Sequence, residues 1–131
     1  MTKETRSIIL YRLERAHEAL HEAEILCEQG HTNTYVNRLY YACFYAVSAL
    51  LLTEDLSSAK HSGIRALFHK NFINTGSVKI ELGQFYDRLF RNRQKGDYAD
   101  FVHFKVDEVR PWFEETKQFV ESIESLIKKK I

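Results

Sequence analysis

Apolar side chains recur along this chain at helical spacing almost from end to end. Ile9, Leu13, Ala16, Leu20, Ala23 and Cys27 fall three or four residues apart and mark one face of a helix predicted from about Lys3 to Gln29. Gly30 is placed to cap it. A second predicted helix, from about Asn33 to Thr53, carries Val36, Tyr40, Cys43, Phe44, Val47, Leu50 and Leu51, and Tyr41, Tyr45 and Ala49 widen that face. A helix apolar nearly all round packs on more than one side. This one is expected at the centre, with surface to spare for a subunit contact. The third, from about Ala59 to Asn74 with Ser57 or Ser58 as N-cap, buries Ile64, Leu67, Phe68 and Phe72 and ends at Gly76.

The fourth predicted helix, from about Val78 to Gln94, turns Leu82, Phe85, Tyr86, Leu89 and Phe90 inward, and a loop is expected from Gly96 to about Lys105. The last helix starts near Asp107 and takes Pro111 in its first turn, where a missing N–H does no harm. Val109, Trp112, Phe113, Thr116, Phe119, Val120, Ile123 and Ile127 form its stripe, and Lys128, Lys129 and Lys130 suit the negative end of its dipole. No stretch alternates as a strand would. The predicted fold is all-α, an antiparallel four-helix bundle plus a shorter fifth helix, in a single domain over residues 1–131.

Composition narrows this picture. A chain of 131 residues, 44% hydrophobic and 28% charged, can bury a real core without disulfides or metals. The net charge of +1 gives no global field for nucleic acid or membrane and leaves only a local patch to consider. The longest apolar run, Leu39 to Leu52 broken by Ser48, is short for a membrane span. Cys27 and Cys43 lie within apolar helical patterns and read as buried free thiols, with no zinc-type spacing. The charged N-terminus is no signal peptide, so a reducing cytoplasm is the expected setting.

Candidate chemistry gathers in Arg93-Gln94-Lys95-Gly96-Asp97-Tyr98. On a helical wheel Arg88, Arg91 and Lys95 share the side opposite the apolar stripe, whereas Arg93 points along the side of Leu82, Phe85 and Leu89. A guanidinium aimed inward must be paired or must line a wet cleft. Asp97 can hold it in a fixed fork and Tyr98 can add a hydrogen bond. Two readings stay open at this point: a structural Arg–Asp pair that pins the following loop, and a phosphate site in which Arg88, Arg91 and Lys95 add positive potential. His61, in Lys60-His61-Ser62-Gly63 at the start of the third helix, can meet a phosphate or simply pack. His17 and His21 stand four apart, a spacing that can bind metal, but no third ligand is evident and a solvated face is expected. No metal or cofactor is expected.

These residues resemble a HEPN domain, specifically the small stand-alone members of an uncharacterised branch. The marks are Asn37-Arg38-Leu39-Tyr40-Tyr41-Ala42 with Phe44, then Lys60-His61-Ser62-Gly63 with Phe68 and Phe72, then Thr75-Gly76, and last the segment from Arg93 to Tyr98. The resemblance implies a helical bundle that forms a homodimer. It also implies a metal-independent ribonuclease of toxin type, partnered by a minimal nucleotidyltransferase antitoxin that can adenylylate a tyrosine, here Tyr98. The family motif sets a histidine after an arginine and four to six intervening residues. Here Arg93 leads to Tyr98 at the first of those spacings and to Asp100 at the last, and His103 lies too far along. A tyrosine with an unperturbed pKa of ~10 is a poor base near neutrality.

Three functions follow. The first is a ribonuclease, intact or degenerate, with Arg93 on the scissile phosphate, Asp97 orienting it, and Tyr98 or His61 in the proton role. The second is a non-catalytic module that binds nucleotide or RNA and docks a separately encoded nucleotidyltransferase. The third is a structural module whose Arg–Asp–Tyr cluster only steadies a loop. The resemblance favours an RNA- or nucleotide-associated protein within a toxin–antitoxin-like pair, with no membrane partner.

Overall fold

A computed structural model describes residues 1–131. The helices are α1 (Lys3–Glu28), α2 (Thr32–Leu52), α3 (His61–Phe68), α4 (Ile80–Tyr98), α5 (Val106–Val109) and α6 (Trp112–Lys130). A π-helical turn, His69–Ile73, continues α3. There is no strand, and the all-α expectation holds. Four long helices form the bundle, and α3 with its π turn is the shorter addition. No helix is long and apolar enough to cross a membrane.

The first two helices match the periodic stripes within a residue. Gly30 ends α1 at φ +78°, with its N–H on the Cys27 carbonyl and the His31 N–H on that of Leu26. α2 is the central helix. It touches α1, α3, α4, α5 and α6, and Leu39, Tyr40, Cys43, Val47, Leu50 and Leu51 are wholly buried. Cys43 is therefore a buried thiol as expected, while Cys27 is half-buried, and both are free.

Three boundaries differ from those expected. α3 is capped by Lys60 rather than by Ser57 or Ser58; the Ser58 hydroxyl instead accepts the Lys60 N–H at 3.2 Å. Gly63 leaves room for that serine, since a Cβ there would fall 2.0 Å from its oxygen. The last helix is broken, not continuous through Pro111. α5 ends at Val109 and α6 begins at Trp112. Proline has no N–H to pass the helix on, and the buried Tyr35 hydroxyl donates to the Val109 and Arg110 carbonyls at 2.9 and 3.1 Å.

The third difference matters most for chemistry. α4 does not give way to a loop at Gly96 but runs on to Tyr98. Glycine weakens a helix interior, yet here tertiary packing requires it: a Cβ on Gly96 would come 2.9 Å from the Phe104 ring. Asn33 of α2 fastens the same region. Its Nδ2 donates to the Gly96 and Val102 carbonyls at 3.3 and 2.8 Å, and its Oδ1 accepts the Phe104 N–H at 3.1 Å. The Thr32 hydroxyl donates to the Phe104 carbonyl at 2.6 Å. Arg93 and Asp97 thus lie one helical turn apart on a continuous helix.

On the far side of α4, Asp87 accepts from Arg65 Nε at 2.6 Å and meets His69 Nε2 at 2.9 Å. Burial works to raise its pKa, but the hydrogen bonds from Arg65 and His69 outweigh it and hold the carboxyl below the usual carboxylate range. A depressed folded-state pKa contributes stability that is present above the unfolded pKa, near ~4, and lost as pH falls through the folded value. Asp87→Asn is expected to flatten the acid limb of a stability-against-pH curve below about pH 4. A parallel loss for wild type and variant across that limb would show that Asp87 is not responsible.

Candidate functional site

Arg93 points inward from α4, as the wheel predicts, and is only 7% exposed. Its guanidinium lies among aromatic rings, with Cζ 5.0 Å from the centre of Tyr40, 5.5 Å from Tyr41 and 5.8 Å from Tyr98. Such faces attract a cation most strongly where water is excluded. The ion pair with Asp97 is loose, Nη1 to Oδ2 at 3.7 Å, and Arg93 Nε is buried with no hydrogen-bond partner. The fork that recognises a carboxylate or phosphate is therefore not used up inside the protein.

Asp97 is held from the other side. Asn37 Nδ2 donates to its Oδ2 at 2.8 Å, and Asn37 Oδ1 accepts from Arg38 Nε and Nη2 at 3.0 and 2.9 Å. Arg38 in turn meets Glu22 of α1 at 3.3 Å and stacks over Tyr41 at 4.9 Å. This line of contacts fixes the carboxylate and leaves Arg93 the freer partner. Asn37 and Arg38 are site residues whose position only the structure shows. The sequence signal was an asparagine beside an arginine on a helix otherwise read as apolar.

His61, the first residue of α3, joins the cluster. Its Nδ1 lies 2.7 Å from the Tyr40 hydroxyl, its ring stacks on Phe44 at 4.5 Å, and Tyr41 meets it edge-on at 5.6 Å. Arg93 and His61 thus rest against the same two rings, Tyr40 and Tyr41. Burial, and then the charge of Arg93, lower the His61 pKa and so favour the uncharged imidazole. Burial pushes the Tyr40 phenol up to about 12, so it keeps its proton. The Tyr86 hydroxyl, buried beside Tyr40, makes no hydrogen bond of its own.

The remaining candidates divide. Tyr98 ends α4 and is 76% exposed, its ring standing between the guanidinium and solvent. Lys95 and Arg91 are exposed on α4. Arg88 does not join the cluster: it packs on Phe85 and Trp112 and pairs with Glu115 of α6 at 3.0 Å. His17 is paired with Glu124 at 3.0 Å, and no group of three or more metal-ligating side chains converges anywhere.

Comparison with known proteins agrees with this architecture. The HEPN domain family matches residues 9–126. A Thermotoga maritima protein named as a UPF0332 protein is 45% identical over 95% of this chain and 94% of its own length. Two Methanocaldococcus jannaschii proteins, each named "Putative toxin", are also similar. One is 32% identical over 98% of this chain and 95% of its own length, the other 35% identical over 73% and 65%. With nearly the whole bundle covered, the chain belongs to the HEPN domain family.

Proposed function

We propose that this chain is the toxin-like member of a pair and acts on RNA, with the Arg93 cluster taking hold of a phosphate. One observation carries the reading: a buried arginine with an unpartnered Nε and a histidine, from different helices, rest against the same two tyrosine rings. The names of the two Methanocaldococcus relatives support it. Arg93 holds the phosphate, Asp97 orients the guanidinium, and Lys95 and Arg91 add positive potential from the exposed face. The RNA 2′-hydroxyl then attacks phosphorus. A 2′-oxygen–phosphorus bond forms, the bond to the 5′-oxygen breaks, the 2′ proton leaves to solvent or to a side chain and the 5′-oxygen gains one. No metal takes part.

The proposed assembly is a homodimer in the cytoplasm. Tyr11, Arg15, Tyr45 and Tyr41 form a half-exposed ladder across α1 and α2, with Arg15 lying 5.0 Å from the Tyr45 ring and hydrogen-bonded to the Tyr11 hydroxyl at 3.1 Å. Aromatic and arginine side chains of this kind are enriched in interfaces. Tyr98, exposed beside Arg93, is the residue a nucleotidyltransferase partner would adenylylate.

A second reading has its own support. Arg93 is nearly closed off and Tyr98 stands where the family motif sets a histidine, which suits a module that docks a nucleotidyltransferase and its nucleotide without cleaving RNA. Incubating the protein with single-stranded RNA in a chelator separates the two. Cleavage leaving 2′,3′-cyclic phosphate ends, and lost in Arg93→Lys, is the expected result. Intact RNA at every concentration, with a stable nucleotidyltransferase complex, would favour the docking module.

A further inference from the structure

Tyr40 is wholly buried, and a phenylalanine would fill its place in the core without a hydroxyl to satisfy. The only partner of that hydroxyl is His61 Nδ1, at 2.7 Å. Two proton arrangements fit this contact, and counting donors and acceptors separates them. Were Nδ1–H the donor, the Tyr40 proton would have no acceptor, because the Tyr86 hydroxyl, the other buried polar group beside it, makes no hydrogen bond. With Tyr40 donating to Nδ1, the Tyr40 proton is satisfied and the 2.7 Å contact is kept. A buried donor left unpaired costs more than the hydrogen bond it would have made contributes.

Neutral imidazole carries one proton. If Nδ1 accepts, Nε2 bears the hydrogen. The Phe44 stack fixes the ring plane and the Tyr40 contact fixes its rotation, so Nε2 is the nitrogen with no partner inside the protein. We propose that Tyr40 is a positioning residue that sets His61 as an Nε2–H hydrogen-bond donor to the same phosphate compound that Arg93 holds. This rests on the reading of the cluster as a phosphate site and deepens it. His61 grips the anion and does not take the 2′ proton. The low basicity of the imidazole agrees with this, because an uncharged ring can donate from Nε2 throughout the neutral range.

Nitrogen NMR of the labelled protein reads the tautomer directly, and a 2′-deoxy dinucleotide reads binding without the attacking hydroxyl. In wild type, His61 is expected as the Nε2–H form, and Tyr40→Phe is expected to give a mixture of tautomers. His61→Gln keeps an N–H donor and should bind the dinucleotide within about threefold of wild type, whereas His61→Ala should lose about tenfold or more. Finding the Nδ1–H form in wild type, or equal losses for the glutamine and alanine variants, would overturn the donor role while leaving the phosphate site in place. If the wild type binds neither the dinucleotide nor inorganic phosphate, the phosphate reading falls and this inference falls with it.

Discussion

Arg93→Ala is expected to unfold at lower denaturant, with a loss of about 3 kcal/mol, and to abolish association with RNA. The stability loss has three sources. The cation–π contacts with Tyr40, Tyr41 and Tyr98 go, a cavity opens beneath α4, and Asp97 loses its counter-charge. The figure stays near the low end for a broken buried pair, because Asn37 still holds the carboxylate. Arg93→Lys keeps the charge but not the planar fork, so stability should recover more than binding does. Expression of wild type and Arg93→Ala in cells, at matched soluble levels, extends the test. Growth arrest by the wild type alone would tie the site to toxicity. A purely structural cluster would show the stability loss with RNA association unchanged in the folded variant.

Asn33→Ala should cost about 2 kcal/mol and act at a distance. Three hydrogen bonds to Gly96, Val102 and Phe104 are lost at once, and half-exposure lets water replace part of them. The variant should therefore loosen the segment from Ala99 to Lys105 first and let the last turn of α4 fray, carrying Asp97 and Tyr98 away from Arg93. Amide hydrogen exchange reads this by region. Faster exchange confined to that segment is the expected pattern. Uniform loss of protection through α1 and α2 would mean that Asn33 supports the whole bundle rather than the end of α4.

Periodicity carried the fold because a buried helix must repeat its apolar positions whatever surrounds it. It also placed Arg93 on the inward side of its helix, since a wheel needs only local geometry. The meeting of Arg93 with His61 was not legible. The two are far apart in sequence, and their approach depends on how α3 and α4 each pack on α2 through Tyr40 and Tyr41. Gly96 misled for a related reason. Alone it weakens a helix, and only the ring of Phe104, folded back from the segment after α4, and the side chain of Asn33, distant in sequence on α2, turn it into a requirement. Pro111 was expected inside a first turn and instead separates α5 from α6, with Tyr35 of α2 hydrogen-bonded to the carbonyls just before it. The π turn left no trace in the apolar pattern, which runs through it unbroken from Phe68 to Phe72. Asn37 stood in view as part of a family motif, but its hold on Asp97 needed three-dimensional contact to be seen.

The break at Pro111 has an optical consequence. Trp112, the one tryptophan in the chain, opens α6 there, with the Phe104 ring 6.2 Å and the Arg88 guanidinium 5.2 Å from its own ring. Phe104 is the residue that Asn33 and Thr32 fasten to α2. Indole emission from the unaltered protein therefore watches the fastening of that segment rather than the bundle at large, and the native chain carries its own fluorescent gauge of whether the end of α4 is held in place.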